Sequence, residues 1–261
     1  MGPPAGELFD LTPNCAIAVM AKASAPGRTK TRLVPPLSYE EAADFNTAFL
    51  QDIAVSLLRA AERTSIAPYM AYGPGGPDFF HRHLPSQIGL LEACYPNFGD
   101  CLFATVRDLL ARGHRTAVVL NSDSPTLPTA LLVETAERLA APGDRAVLGP
   151  ASDGGYYLLG LKQAHRRLFD DIAWSTERVA EQTLARAAEI GLPVDILPTW
   201  YDVDDVDALR TLHAELFGGF SFGRNLVSNR AERTAQLISN LCARGDLAER
   251  IGVTRLKDVG T

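Results

Sequence analysis

Cysteine is scarce and poorly spaced for chemistry in this 261-residue chain. The four present, Cys15, Cys94, Cys101 and Cys242, form no C-x-x-C pair, so neither a zinc site nor a secreted disulfide framework is indicated. No window approaches eighteen uninterrupted apolar residues, which leaves no evident membrane-spanning helix and no membrane partner. The opening MGPPAGELFDLTPN lacks the basic-then-apolar order of a secretion signal, and the chain is read as cytoplasmic. Basic residues are outnumbered 25 to 31, a net charge of -6, so there is no global attraction to nucleic acid and any phosphate recognition has to be local. Also missing are a G-x-G-x-x-G fingerprint, a Walker A loop and a G-x-S-x-G elbow, which counts against nicotinamide oxidoreductases, P-loop enzymes and triad hydrolases.

What is there describes an ordinary globular α/β chain, 46% hydrophobic and 21% charged. Strand-length apolar runs at 15–21, 68–72, 88–93, 116–121, 146–149, 156–161 and 194–198 alternate with helical patterns, the signature of a mostly parallel sheet covered by helices. The clearest helix opens with a Ser38/Glu41 capping box and carries Phe45, Phe49, Ile53 and Leu57 on one stripe. Further helices are expected over 100–112, 128–139 and, capped by Ser175 or Thr176, to about residue 190. Residues 1–14 read as a flexible extension, 15–217 as one domain, and 218–261 as a helical extension. The helix expected over 228–243 would pack on the core or form a homodimer. His81 and His83 have no third ligand nearby in the sequence and read as surface residues.

Ligands of open α/β sheets bind at the carboxyl ends of strands, which singles out four stretches. The first is MAKASAPGRTKTRL, where Lys22, Arg28, Lys30 and Arg32 surround a Pro26-Gly27 turn and offer the counter-charge a phosphate needs. The second is VVLNSDSPTLP, in which Asp123 ends a buried strand and either caps a turn or holds a divalent cation. The third is GPASDGGYYLLGL, where Asp153-Gly154-Gly155 is either a structural hairpin or a place for a ligand to approach the backbone beside a carboxylate base. The fourth is WYDVDDVDALRTL. Carboxylates are favoured at helix N-termini for dipole reasons alone, yet one of Asp202, Asp204, Asp205 and Asp207 is available as a second metal ligand.

These stretches, with IAWST between the third and the fourth, resemble in order and spacing a bacterial family of uncharacterised glycosyltransferase-A-like (GT-A-like) proteins associated with arsenosugar and radical-SAM/selenodomain genes. The resemblance spans 16–212, and Lys30-Thr31-Arg32-Leu33 is similar also to 2-phospholactate guanylyltransferases. At NFGDCLFATV the chain keeps Gly99 and Asp100 but has Cys101 and Leu102 and lacks the family's arginine. The resemblance implies a single nucleotide-diphospho-sugar transferase domain of GT-A-like, Rossmann-like α/β fold, with a mixed, mostly parallel sheet. It marks Asp123 as a metal carboxylate and Asp204 as its partner.

The expectation is therefore a transferase that uses Mg²⁺ or Mn²⁺ and moves a sugar from a nucleoside diphosphate to a small-molecule acceptor. Lys22, Gly27, Arg28, Lys30 and Arg32 would bind the nucleotide phosphates and Asp123 and Asp204 the metal. Asp153 is the candidate base, with Asp123 also catalytic through its metal, and Gly154, Gly155, Tyr156, Trp174 and Ser175 would form the acceptor or sugar pocket. For Trp174, ordinary core packing is an equal reading. One alternative is a nucleotidyltransferase that releases pyrophosphate; another is a nucleotide-binding protein without turnover.

Overall fold

The computed structural model describes residues 14–73, 75–93 and 95–253, so the expected 1–14 extension and the last eight residues lie almost wholly outside it. Among the described residues fifteen strands and α-helices follow one another: β1 (Cys15–Ala21), α1 (Tyr39–Ala61), β2 (Ile66–Tyr72), α2 (Asp78–His83), β3 (Gly89–Glu92), α3 (Phe98–Ala111), β4 (Thr116–Leu120), α4 (Thr129–Ala140), β5 (Ala146–Pro150), β6 (Tyr156–Leu161), α5 (Val179–Glu189), β7 (Val194–Ile196), α6 (Val206–Phe217), α7 (Glu232–Arg244) and α8 (Leu247–Arg250). The strands form one sheet in the order β3-β2-β1-β4-β6-β5-β7, parallel except for β6, which runs against both its neighbours.

Each strand contributes to two cores because its side chains alternate faces. On β1, Cys15, Ile17 and Val19 pack with α1, α4, α6, α7 and α8, while Ala16 and Ala18 pack with α3 and α5. Both layers are built of buried apolar side chains, and β1 lies at the centre of them. The α1 stripe begins as its sequence requires: Ser38 accepts from the Glu41 N–H, and the Glu41 carboxylate accepts from the Ser38 N–H.

The C-terminal segment is built into the first of these layers. Asp52, 4% exposed on α1, accepts from the N–H groups of Arg233 (2.9 Å) and Thr234 (2.8 Å) and from the Thr234 hydroxyl (2.7 Å). A carboxylate from another helix thus serves the unpaired donors at the start of α7. Asn229 donates to the carbonyls of Pro125 and Asp52, which holds 228–231 out of the helix and explains why α7 starts at Glu232 and not at 228. Arg250 of α8 makes a two-pronged pair with Glu41, at 2.8 and 2.7 Å. The inward residues of α7, Thr234 and Ile238, face α1.

The topology decides where a ligand can sit. Because β6 is antiparallel, its beginning lies at the same edge as the ends of β1, β4 and β5. The loops after β1 and β4, the β5–β6 hairpin and the segment after β7 therefore share one rim of the sheet. Among the described residues no helix is long and apolar enough to cross a membrane.

Candidate active site

The loop after β1 takes its shape from a turn. Arg28 N–H donates to the Ala25 carbonyl at 3.0 Å across Pro26-Gly27, and Gly27 has φ +72°, the positive value that the third residue of a type II turn demands. The Thr29 N–H turns to the same carbonyl, so these two backbone donors serve the turn and what the loop offers a ligand is its side chains. Asn46 of α1, buried beneath, donates to the Lys22 carbonyl (3.1 Å) and the Ser24 hydroxyl (2.8 Å), pinning the loop to the helix. Lys30 follows in the left-handed region, at φ 51°.

From there its side chain runs inward, only 4% exposed, and all three ammonium protons have an oxygen to meet. Nζ lies 2.5 Å from Asp123 Oδ1, 3.0 Å from Asp204 Oδ1 and 2.8 Å from the Val203 carbonyl, over the ring of Phe49. Burial works against the charged ammonium, but the two carboxylates outweigh it and raise its pKa above the ordinary lysine value. Asp123 and Asp204 are brought together by the backbone: Val203 N–H donates to the Asp123 carbonyl at 2.8 Å and the Ser124 hydroxyl to the Tyr201 carbonyl at 2.8 Å. Trp200 and Val203, fully buried, anchor this strap.

Around this pair opens a cleft of about 800 Å³. Its walls include Lys22, Arg28, Lys30 and Arg32 on one side and Asp153, Gly155, Tyr156, Trp174 and Ser175 on the other, with Asp123 and Asp204 between. Among the described residues Lys22, Arg28 and Arg32 have no ion-pair partner. Of the residues singled out from the sequence, Gly27 and Gly154 stand off the cleft wall, as do Asp202, Asp205 and Asp207 of the fourth stretch. Gly154, at φ +90°, lies so close to the Glu177 carbonyl that a Cβ would sit 2.0 Å from it, and its own carbonyl accepts from Ala180 N–H at 3.0 Å. Its lack of a side chain lets the hairpin seat against 175–180. Asp153 Oδ1 accepts from Gly155 N–H at 2.8 Å, an Asx turn that leaves Oδ2 without a hydrogen-bond partner among the described residues. Trp174 is half-buried, edge-on to the exposed ring of Phe98 at 5.3 Å.

Of the four aspartates before α6, Asp205 caps the helix by accepting from Ala208 N–H at 2.8 Å, and Asp207 pairs with Arg210. Asp202, to which sequence reasoning gave no role of its own, lies behind the cleft wall and is strongly perturbed by burial and by the carboxylates of the site. Burial, and then the negative charge of Asp153, Asp204 and Asp123, push its pKa up to about 6. Phe98, Asn46 and Glu177 were also missed, since an aromatic, an amide and an exposed carboxylate in those surroundings carry no motif.

Among the described residues no three His, Cys, Asp or Glu side chains are grouped as metal ligands. Two carboxylates already converge on one positive charge, however, and an all-oxygen pair is what Mg²⁺ or Mn²⁺ takes, the other positions going to water and phosphate. The residues fit, with one condition: Lys30 stands between them.

A model for a family described as an uncharacterized protein conserved in bacteria (DUF2064) matches residues 56–176, which include Asp123, Asp153, Tyr156 and Trp174 but neither the basic loop nor Asp204. A solved structure from Desulfovibrio desulfuricans G20, described as a "putative nucleotide-diphospho-sugar transferase", is 27% identical with a TM-score of 0.75 over 88% of this chain and 96% of that one. A cytidylyltransferase from Leptospira borgpetersenii serovar Hardjo-bovis aligns at 9% identity and TM-score 0.51 over 95% and 99%. A CMP:2-keto-3-deoxy-manno-octonic acid synthetase complexed with CTP aligns at 10% and 0.50 over 79% and 100%. No curated protein sequence matches. The fold is that of the GT-A-like nucleotide-diphospho-sugar transferases.

Proposed function

We propose that the protein is a metal-dependent transferase that moves a sugar from a nucleoside diphosphate to a hydroxyl of a small-molecule acceptor, in the cytoplasm. It would belong with the arsenosugar- and selenodomain-associated group its motifs resemble. The observation that carries the reading is the convergence, in one cleft, of three unpaired cations on the β1 loop with the Asp123 and Asp204 carboxylates. Lys22, Arg28 and Arg32 would neutralise the diphosphate. Asp123 and Asp204 would hold Mg²⁺ or Mn²⁺, which when bound offsets charge building on the departing diphosphate. For that, Lys30 has to release the carboxylates, and a phosphate oxygen is the acceptor that can receive its ammonium.

In the transfer itself the acceptor oxygen bonds to the anomeric carbon as the bond from that carbon to the diphosphate oxygen breaks. The electron pair leaves with the diphosphate, and the acceptor proton passes to Oδ2 of Asp153, whose other oxygen is held by Gly155. Catalysis rests on orientation and charge compensation.

A second reading, nucleotidyl transfer from a triphosphate with release of pyrophosphate, is favoured by the number of unpaired cations, since three besides Lys30 would also suit a triphosphate. Product analysis separates the two. Nucleoside diphosphate released from a nucleotide sugar supports the first, pyrophosphate from a triphosphate the second. Tight nucleotide binding with neither product would make this a binding protein.

A further inference from the structure

The two halves of the cleft carry opposite charge. Every cation on its wall comes from the single loop after β1. Two strand steps away across β4, about 10 Å at ordinary sheet spacing, the half built by the β5–β6 hairpin, α3 and the 174–179 segment has none. Its lining includes the rings of Phe98, Tyr156 and Trp174, the hydroxyls of Ser175 and Thr176, and the carboxylates of Asp153 and Glu177. Glu177 is exposed and has no ion-pair partner among the described residues, and Asp153 has only its Gly155 N–H. Nearby cations do not compensate: Arg166 is committed to Asp100 (2.5 Å) and Asp170 (2.8 Å), and Arg178 stands off the wall at the start of α5.

Phe98, 52% exposed, is a large apolar ring left at the rim of a polar cleft, and Trp174 stands edge-on to it at 5.3 Å, so that side offers apolar ring surface. Aromatic surface of this kind receives the apolar face of a ring, while an unpaired carboxylate pair repels an anion and attracts an amine. A phosphorylated or carboxylated acceptor would meet two carboxylates and no counter-ion.

We infer that this half of the cleft selects an acceptor that is uncharged or cationic, bears a hydroxyl beside a flat apolar face, and is neither phosphorylated nor carboxylated. The assignment rests on the transferase reading and narrows it. It favours sugar transfer over nucleotidyl transfer to a phosphorylated acid, which would require cations where there are none.

Trp174 makes the local field measurable without any nucleotide. The chain has two tryptophans, and Trp200 is fully buried. Fluorescence quenching at constant ionic strength should therefore report Trp174, with Trp174→Phe as the blank. After normalising to neutral acrylamide, caesium should quench at least about twofold better than iodide, and Glu177→Gln should shrink that ratio. Iodide quenching equal to or better than caesium, or a ratio untouched by Glu177→Gln, overturns the assignment.

In a second arm the wild-type protein with its nucleotide donor is offered one sugar scaffold bearing an amine, no charge, a carboxylate or a phosphate. Turnover of the first two at least about tenfold above the last two is expected. Equal or preferred use of the anionic members overturns the assignment. Loss of nucleotide binding would remove the transferase reading instead, and leaves the quenching result standing.

Discussion

Lys30→Met removes a charge and keeps an apolar stem over Phe49. In the protein as it stands, one ammonium satisfies Asp123, Asp204 and the Val203 carbonyl at 2.5, 3.0 and 2.8 Å. Breaking a buried ion pair by deleting one partner costs roughly 3–5 kcal/mol, because a charge is left uncompensated. Here the two carboxylate side chains are 30% and 38% exposed, so water screens part of the loss and a penalty of about 2–3 kcal/mol is expected. For a chain of this length that lowers Tm by about 4–8 °C. The same change removes the competitor for the metal. Mn²⁺ at a hundred times its dissociation constant should restore about 2.7 kcal/mol to the variant, while Mn²⁺ alone moves the wild-type Tm far less. Scanning calorimetry of both proteins with and without Mn²⁺ reads this out. A variant as stable as wild type, or one that gains no more from Mn²⁺ than wild type does, refutes the idea that Lys30 occupies a cation's place.

Two further outcomes follow from individual contacts. Asp202 titrates near 6 when folded, above the ordinary aspartate value, so the native state holds its proton longer than the unfolded chain; stability falls as pH rises between about 4 and 6 and stays lower above that. Allowing for partial exposure, Asp202→Asn should stabilise by about 2 kcal/mol at pH 7 and by nothing below pH 4, measured by denaturant midpoints across pH; an equal gain at both pH values would contradict it. Asp52→Ala strips the three hydrogen bonds at the start of α7 and should cost about 2–4 kcal/mol, with amide exchange in α7 accelerated before that in the sheet; uniform exchange would show that α7 is not held there.

Much of the fold was legible because the strands obey period two and lie between strong punctuation. The 15–21 and 156–161 runs coincide with β1 and β6, and the Ser38/Glu41 box marks the first residue of α1. α2 was missed because six residues cannot display a helical period, and α5 starts only at Val179, although the Thr176 hydroxyl accepts from the Arg178 N–H at 3.3 Å just ahead of it. The four chemical stretches line one cleft because each follows a strand whose end reaches the same rim, a consequence of strand order that no local pattern encodes. For the same reason, nothing local revealed that Lys30 is tied to Asp123 and Asp204, or that Asp202 faces three other carboxylates. These pairings join residues more than seventy positions apart or depend on burial.

On the proposed reading, the cations and carboxylates of this cleft act together on a diphosphate and a metal. Calorimetric titration with nucleoside diphosphates, with and without Mn²⁺, on wild type and Asp123→Ala tests it most directly. Binding should strengthen at least about tenfold with Mn²⁺, and the variant should lose this gain while staying folded by circular dichroism. Binding of equal strength with and without Mn²⁺, unchanged by Asp123→Ala, would contradict it.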